Sequence, residues 1–137
     1  MRRALHFVFA VAAGSVSAQT CQIDLAAVEA RIADLEPSHG LVLSDIGCDA
    51  PSTPAHILMC DAAETPNAPL WRMGRLDDLA WVYAVENATG RDVDETDPPR
   101  DGDFIARRDA CTDEGCLCDV LVQHTNDSLG GTSPYPQ

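Results

Sequence analysis

LWRMGRLDDLAWVYAVEN, residues 70–87, is the stretch that decides the fold class. Its large side chains recur at helical spacings of three and four, which is typical of one buried helix face. That face carries Leu70, Met73, Leu76, Leu79 and Tyr83. Ala80 and Ala84 flank the stripe and would let another helix approach closely. The pattern therefore predicts a long central helix that ends near Asn87.

Four shorter segments around this helix are also predicted to be helical. Two begin with capping residues: Asp24 opens a helix over 24–36, and Thr53 with Pro54 opens one that reaches Cys60. Two more follow the central helix, over 104–111 and 114–128. Residues 40–47 are predicted to be extended or irregular, as one short strand without an evident partner. The fold class is thus all-α, with four or five short helices.

The first 18 residues have the three parts of a secretory signal. Arg2 and Arg3 precede an apolar run over 4–13, and Val16 and Ala18 occupy the small-residue positions before a cut. The run is shorter than the roughly 20 apolar residues that a membrane span needs. A buried N-terminal helix is the alternative. We expect cleavage after Ala18 and a periplasmic or secreted product with no membrane span.

The rest of the chain is predicted to form one domain of ordinary size. Residues 19–47 would hold the N-terminal helix and a connecting segment, and residues 48–129 a helical unit. Residues 130–137 are rich in Gly, Ser and Pro and are predicted to be a disordered tail.

The charge is strongly acidic, with 22 acidic residues against 9 arginines and no lysine. Loss of Arg2 and Arg3 with the signal would change the net charge from −13 to −15. Nucleic acids are disfavoured partners, because they require a basic surface. A basic protein would be attracted, with an association rate that falls as salt rises. Acidity that only maintains solubility is the simpler interpretation.

All six cysteines follow the predicted signal, and an even number in an exported chain indicates disulfides. Six cysteines allow 15 pairings. The spacing favours one of these sets of three disulfides. Two of its pairs bracket a turn or the start of a helix, and the third joins the two cysteines that remain. The favoured pairs are Cys111–Cys116, Cys48–Cys60 and Cys21–Cys118.

The stretch from Cys48 to Leu129 resembles the LprI-type lysozyme-inhibitor domain of bacterial envelope proteins. The resemblance begins with the segment from Cys48 to Cys60 and ends with an Arg-Asp-Ala-Cys element that is followed by Cys-Leu. The other matching positions are Leu76, Asp77, Leu79, Tyr83, Phe104, Arg108, Asp109 and Leu117. The family usually has Glu at His56, Trp at Phe104, Tyr at Leu121 and Arg at His124, and it lacks Cys21 and Cys118.

The resemblance implies a non-enzymatic envelope protein that binds lysozyme, or another cationic muramidase, and occludes its cleft without a cofactor. An envelope protein that keeps the scaffold but inhibits nothing is the alternative. The acidic segment from Asp92 to Asp103 is a candidate contact surface, or else a solvated loop. The motif residues are interpreted as structural, with an Arg108–Asp109 ion pair and a packing and hydrogen-bonding pair of Asp77 and Tyr83. Neither the oligomeric state nor the class of lysozyme follows from the sequence.

Enzymatic and metal-binding functions have little support in the sequence. The common hydrolase, zinc-protease and phosphate-loop motifs do not occur. His39 and His56 are predicted to be surface residues near helix ends, and His124 a packed or half-buried one. Asp92, Asp94 and Thr96 begin like a calcium loop, but Asp97 replaces the required glycine. Together with His124, three cysteines could form a zinc site, namely Cys111, Cys116 and Cys118. Disulfides are the favoured interpretation of these cysteines.

Overall fold

A computed structural model of the protein describes residues 19–40 and 42–130. These residues form five helices and no strand, which confirms the all-α prediction. The helices are α1 (Leu25–Leu35), α2 (Pro54–Ala63), α3 (Pro69–Thr89), α4 (Gly102–Asp109) and α5 (Glu114–Gly130). The predicted signal peptide and residues 131–137 of the predicted tail lie outside the described residues.

Side-chain caps fix where three of the helices begin. Asp24 accepts a hydrogen bond from the Ala27 N–H at 3.1 Å, and Thr53 accepts one from the His56 N–H at 3.1 Å. Both caps were predicted. Helix α4 begins two residues earlier than predicted, because Asp101 accepts hydrogen bonds from the N–H groups of Asp103 and Phe104 in its first turn.

Helix α3 is the centre of the fold and packs against α1, α2 and α5. The predicted stripe is buried except at Tyr83, which is half-buried, and Leu79, Ala80 and Ala84 have no exposed surface. Trp81 and Val82 are buried as well, so α3 is covered on more sides than the stripe alone predicts. The reason is that residues 90–101 fold back over the side that the periodicity leaves open, as the hydrogen bond from Trp81 to the Pro99 carbonyl shows.

Three disulfides tie the helices together, in the pairs that the spacing favours. Cys48–Cys60 holds the entry of α2, and Cys111–Cys116 closes the turn between α4 and α5. Cys21–Cys118 joins the segment before α1 to α5 across 97 residues of sequence. Its two cysteines are buried with Val28, Ile32 and Leu117 in the main core.

The last helix is longer than predicted, since α5 continues through Gly130. Residues 42–47 are irregular and contact residues 90–101 through a hydrogen bond from the Leu43 N–H to the Glu95 carbonyl at 2.7 Å. Among the described residues, no helix has the length and apolarity that a membrane crossing requires.

Candidate functional site

Two adjoining cavities lie where segment 42–48 faces α3 and α4. The smaller, of about 50 Å³, extends toward Trp81, Asp101 and His124. The larger, of about 260 Å³, extends toward Trp71 and Met59. Their common wall is formed by six residues, Val42, Asp45, Asp77, Asp78, Phe104 and Arg108. Charged side chains therefore stand between a mainly apolar chamber and a smaller one with a mixed polar and apolar lining.

Asp77 and His124 form a buried pair between α3 and α5. The His124 Nδ1 lies 2.8 Å and 3.0 Å from the two Asp77 carboxylate oxygens, and the Thr125 hydroxyl donates to the same carboxylate at 2.9 Å. Both side chains of the pair are 4% exposed. Burial raises the pKa of Asp77, and the hydrogen bonds from His124 and Thr125 oppose that rise.

The other ring nitrogen of His124 lies beside Asp101, and both residues line the smaller cavity. Nε2 is buried and has no hydrogen-bond partner among the described residues, and the Asp101 Oδ2 lies 3.4 Å from it. The imidazole stacks on the Phe104 ring at a centroid distance of 3.8 Å, and Trp81 lies 5.2 Å away on a tilted plane. Aromatic packing and the two flanking carboxylates, Asp77 and Asp101, thus fix the position of the ring.

A second polar network links α4 to α2 and to segment 42–48. Arg108 donates to both oxygens of Asp45, at 2.9 and 2.7 Å, and through Nε to Asp109 at 2.8 Å. The His56 ring lies 3.1 Å from Asp109 and 3.2 Å from the Ser52 hydroxyl. Although burial opposes it, the pKa of Asp45 lies below its usual value, because Arg108 and Arg100 stabilise the carboxylate.

Asp78 differs from the other carboxylates of the wall, because no described residue forms a hydrogen bond or an ion pair with it. Solvent reaches its side chain, yet protein atoms of both cavity walls crowd around it. That loss of hydration raises the pKa of Asp78 to about 7, and the neighbouring negative charge of Asp77 adds to the rise. Arg75 and Arg100 oppose the rise only at longer range.

The larger cavity has a mainly apolar lining. Trp71, Met59, Ile46 and Leu121 contribute to it. Arg75 also lines it, donating through Nη2 to Glu36 at 2.7 Å, while its buried Nη1 has no hydrogen-bond partner within the described part of the chain. An apolar chamber with a few polar groups at one end is the usual form of a small-molecule site.

Residues 91–101, which we call the acidic loop, form the second notable surface. Asp92, Asp94, Glu95 and Asp97 are all exposed on it. Its backbone is held at several points: the Glu95 and Pro99 carbonyls accept hydrogen bonds from Leu43 and Trp81, and the Val93 N–H donates to Glu86. The loop ends at Asp101, because Asp103, which the predicted segment included, belongs to α4.

Several predicted roles need correction. Asp77 bonds to His124 and Thr125 of α5 and not to Tyr83, whose ring instead contacts His39 edge-on at 5.5 Å. His56 is 7% exposed and belongs to the Arg108 network, so its prediction as a surface residue is wrong.

His39 lies at a turn, as predicted, but it is half-buried there, because its Nδ1 is paired with Glu86. His124 is buried, consistent with the packed role predicted for it. The three cysteines of the zinc site considered in the sequence analysis all form disulfides, so they do not provide thiolate ligands. In the described residues, no group of three or more His, Cys, Asp or Glu is arranged to hold a metal ion.

The remaining motif residues lie in the core or in the polar networks. Leu76, Leu79, Phe104 and Leu117 are buried in the main core, and Arg108 and Asp109 form the predicted ion pair. Asp45, Asp78 and Asp101 were missed as wall residues of the cavities. In the local sequence, each of them resembles an ordinary aspartate of a loop or of a helix surface. No local signal distinguishes it from the other acidic residues.

Comparisons of the chain with family models, with curated proteins and with solved structures returned no match.

Proposed function

We propose that the protein is an exported, non-enzymatic inhibitor that binds a cationic lysozyme or another muramidase and occludes its cleft. The observation that carries the proposal is the acidic loop, which presents four exposed carboxylates on a backbone held by hydrogen bonds from α3 and segment 42–48. The resemblance of the 48–129 region to LprI-type inhibitors supplies the target class.

A held loop favours binding, because little conformational entropy is lost when the partner docks. The Trp81–Pro99 hydrogen bond and the Asp94–Thr96 turn, with N···O distances of 2.8 and 2.9 Å, limit the shapes that the loop can adopt. Its carboxylates would meet the basic rim of a lysozyme cleft. Occlusion needs only complementary charge and shape, so no catalytic group of this chain takes part.

The net charge supports the same class of partner. With 22 acidic and 9 basic residues, the whole surface would attract a basic protein at long range. Local contacts then determine how tightly the complex holds. The two effects can be separated by removing equal charge from two different places.

The test is a cell-wall clearing assay with a panel of cationic lysozymes and the exported protein purified with its disulfides intact. We expect a micromolar excess to stop clearing by at least one lysozyme of the panel. The triple variant D92N/E95Q/D97N should lose potency by about tenfold or more, as expected for an interface centre.

The matched control is D61N/E64Q/D119N, which removes the same charge at exposed positions away from the loop. It should lose potency by no more than about threefold, the size of a pure steering effect. Equal losses in both triples would show that the loop is not the contact surface. If no lysozyme loses activity, inhibition is wrong and a scaffold without inhibitory activity is favoured.

A further inference from the structure

We propose that Leu43 is the apolar anchor of the surface that binds the lysozyme, with its side chain inserted into the partner's cleft beside the carboxylates of the acidic loop. This inference rests on the proposed function, and it names a contact residue that the charge of the loop alone does not supply. Leu43 precedes the 48–129 region, so the resemblance to LprI-type inhibitors does not supply it either.

Leu43 is a large apolar residue on the surface of the molecule. It is 61% exposed, and Ile57, at 48%, is the other exposed large hydrophobic residue in the described part of the chain. Its neighbours Val42 and Ile46 line the larger cavity, whereas Leu43 is not part of the main core. Burial within the chain therefore does not account for a leucine at this position, while burial against a partner would remove its apolar surface from water.

The backbone of Leu43 is bonded to the acidic loop through both of its polar groups. The Leu43 N–H donates to the Glu95 carbonyl at 2.7 Å, and the Leu43 carbonyl accepts a hydrogen bond from the Arg100 guanidinium at 2.6 Å. Two residues further along the chain, Asp45 is held by Arg108. The side chain is thus presented from a fixed backbone, so docking would restrict little more than its own rotamers.

The position beside the acidic loop distinguishes Leu43 from Ile57. Single exposed apolar residues are common on protein surfaces and need no partner to explain them. Ile57 is of this kind, because its N–H forms an ordinary helical bond to the Thr53 carbonyl. Leu43 is instead bonded to Glu95, in a loop that presents four exposed carboxylates. An apolar centre with a polar surround is the usual anatomy of a protein interface, and here it fits a cleft with a basic rim and an apolar floor.

The leucine and the carboxylates should act on different rate constants. Complementary charge speeds the diffusional encounter, and salt weakens that effect. Contacts that form only after docking act mainly on the dissociation rate. Binding kinetics can therefore distinguish an apolar anchor from a further contribution to steering.

The experiment measures binding of the exported protein, with its disulfides intact, to immobilised lysozymes of the cationic panel by biosensor kinetics, in parallel with the clearing assay. We expect Leu43→Ala to raise the dissociation rate by about tenfold or more and to lower potency by the same factor. The association rate should stay within about twofold of the wild-type value, because the charge of the surface is unchanged.

Two further variants serve as controls. Leu43→Met keeps the volume and the apolar character of the side chain, so it should retain potency to within about threefold. Ile57→Ala removes a comparable exposed apolar side chain from α2 and should leave both rates unchanged. Thermal unfolding of all three variants, followed by circular dichroism, should stay close to that of the wild type, as expected for exposed side chains.

The outcomes separate this inference from the proposed function. If the wild type inhibits a lysozyme and Leu43→Ala inhibits it equally well, or if Ile57→Ala loses as much potency, the anchor is overturned while the acidic loop stands as the contact surface. A loss confined to the association rate also overturns the anchor, because the leucine would then not hold the complex together. If the wild type stops no lysozyme, the proposed function fails and the anchor fails with it.

Discussion

Asp77 and Asp78 are neighbours in the chain, but α3 turns their carboxylates into different surroundings. Asp77 is buried against α5 and bonded to His124 and Thr125. Asp78 stands in the wall between the two cavities with no described partner. The same Asp→Asn substitution should therefore change the free energy of unfolding in opposite directions at these two positions.

Asp77→Asn should lower the free energy of unfolding by about 2 kcal/mol, because a buried hydrogen bond to a charged group is replaced by a weaker one. The amide keeps the shape of the side chain, so packing should change little. Urea denaturation at pH 8, followed by circular dichroism, measures the effect. A loss below about 0.5 kcal/mol, the level of an ordinary surface change, would contradict the buried pairing.

Asp78→Asn should instead raise the free energy of unfolding above pH 7. In the wild type, the folded-state pKa of Asp78 is about 7, above its unfolded value, so the stabilisation present at low pH is lost as pH rises from 4 to 7. The groups that act on Asp78 are Asp77, Asp45, Arg75 and Arg100. Since solvent screens this exposed side chain, we expect a gain of only about 1 kcal/mol at pH 8.

Urea titrations of both proteins at pH 4.5, 6 and 8 measure this difference. The other carboxylates titrate in both proteins and should cancel. Asp119→Asn serves as the reference, because it removes one exposed carboxylate on α5 away from the cavities. A difference for Asp78→Asn that stays flat across the three pH values would show that Asp78 ionises like an ordinary surface aspartate.

Local sequence predicts the chemistry of a residue only where its partner is nearby in the chain. The Arg108–Asp109 pair and the Thr53 cap were predictable, since the two groups are one and three residues apart. The Asp77–His124 bond spans 47 residues and the Arg108–Asp45 bond 63. Such pairs depend on how the helices pack, so neither the buried state of His56 nor the unpaired state of Asp78 could be read from the chain.

At the scale of elements, helix ends follow from a few residues with special backbone or capping properties. Gly90 ends α3 in a left-handed conformation with φ of 65°, and its N–H donates to the Glu86 carbonyl at 2.8 Å. An L side chain is strained in this conformation. The C-terminus of α3 is also where the acidic loop begins, so this turn sets the direction of the loop.

Gly90→Ala should lower the free energy of unfolding by about 1 kcal/mol. Gly102→Ala is the matched control, because Gly102 begins α4 and a Cβ there would meet no atom within 4 Å. Alanine is the better helix former, so the control should be neutral or more stable by up to about 1 kcal/mol. Thermal unfolding of both variants tests this, and equal losses would argue against conformational strain at Gly90.

Most elements were predictable because periodicity and caps are local signals. Helices α1 and α2 begin at the residues that Asp24 and Thr53 indicated. The predicted start of α4 is two residues too late, because the prediction includes Asp101 in a continuous acidic segment. The folding of residues 90–101 over α3 was also missed, since it depends on the contacts from Leu43 and Trp81 to the loop, 18 or more residues away in the chain.

At the scale of the whole molecule, the excess of acidic residues is the dominant electrostatic feature. The chain has no lysine, and all seven arginines after residue 18 lie among the described residues. Several of them are neutralised by local carboxylates: Arg72 by Glu29, Arg75 by Glu36 and Arg108 by Asp45. The surface should therefore have a negative potential over most of its area.

If the protein binds a cationic lysozyme, the association rate should fall by about tenfold or more between 20 and 300 mM salt, while the dissociation rate changes less. Stopped-flow or biosensor kinetics measures both rates. The triple variant D61N/E64Q/D119N should show a shallower salt dependence, because it carries less charge. If the association rate does not respond to salt, the acidity of the protein does not steer the partner and serves only solubility.

The disulfide between Cys21 and Cys118 has a consequence for biogenesis. If the protein is exported as proposed and enters an oxidising compartment amino terminus first, Cys21 arrives long before its partner, which follows 97 residues later. At about 5–20 residues per second the delay is several seconds or more, and Cys48 and Cys60 arrive in the meantime. Oxidation in order of arrival would join Cys21 to Cys48, and thiol–disulfide exchange would then be needed to reach the native pairing. Production should therefore depend on a disulfide isomerase as well as on an oxidase.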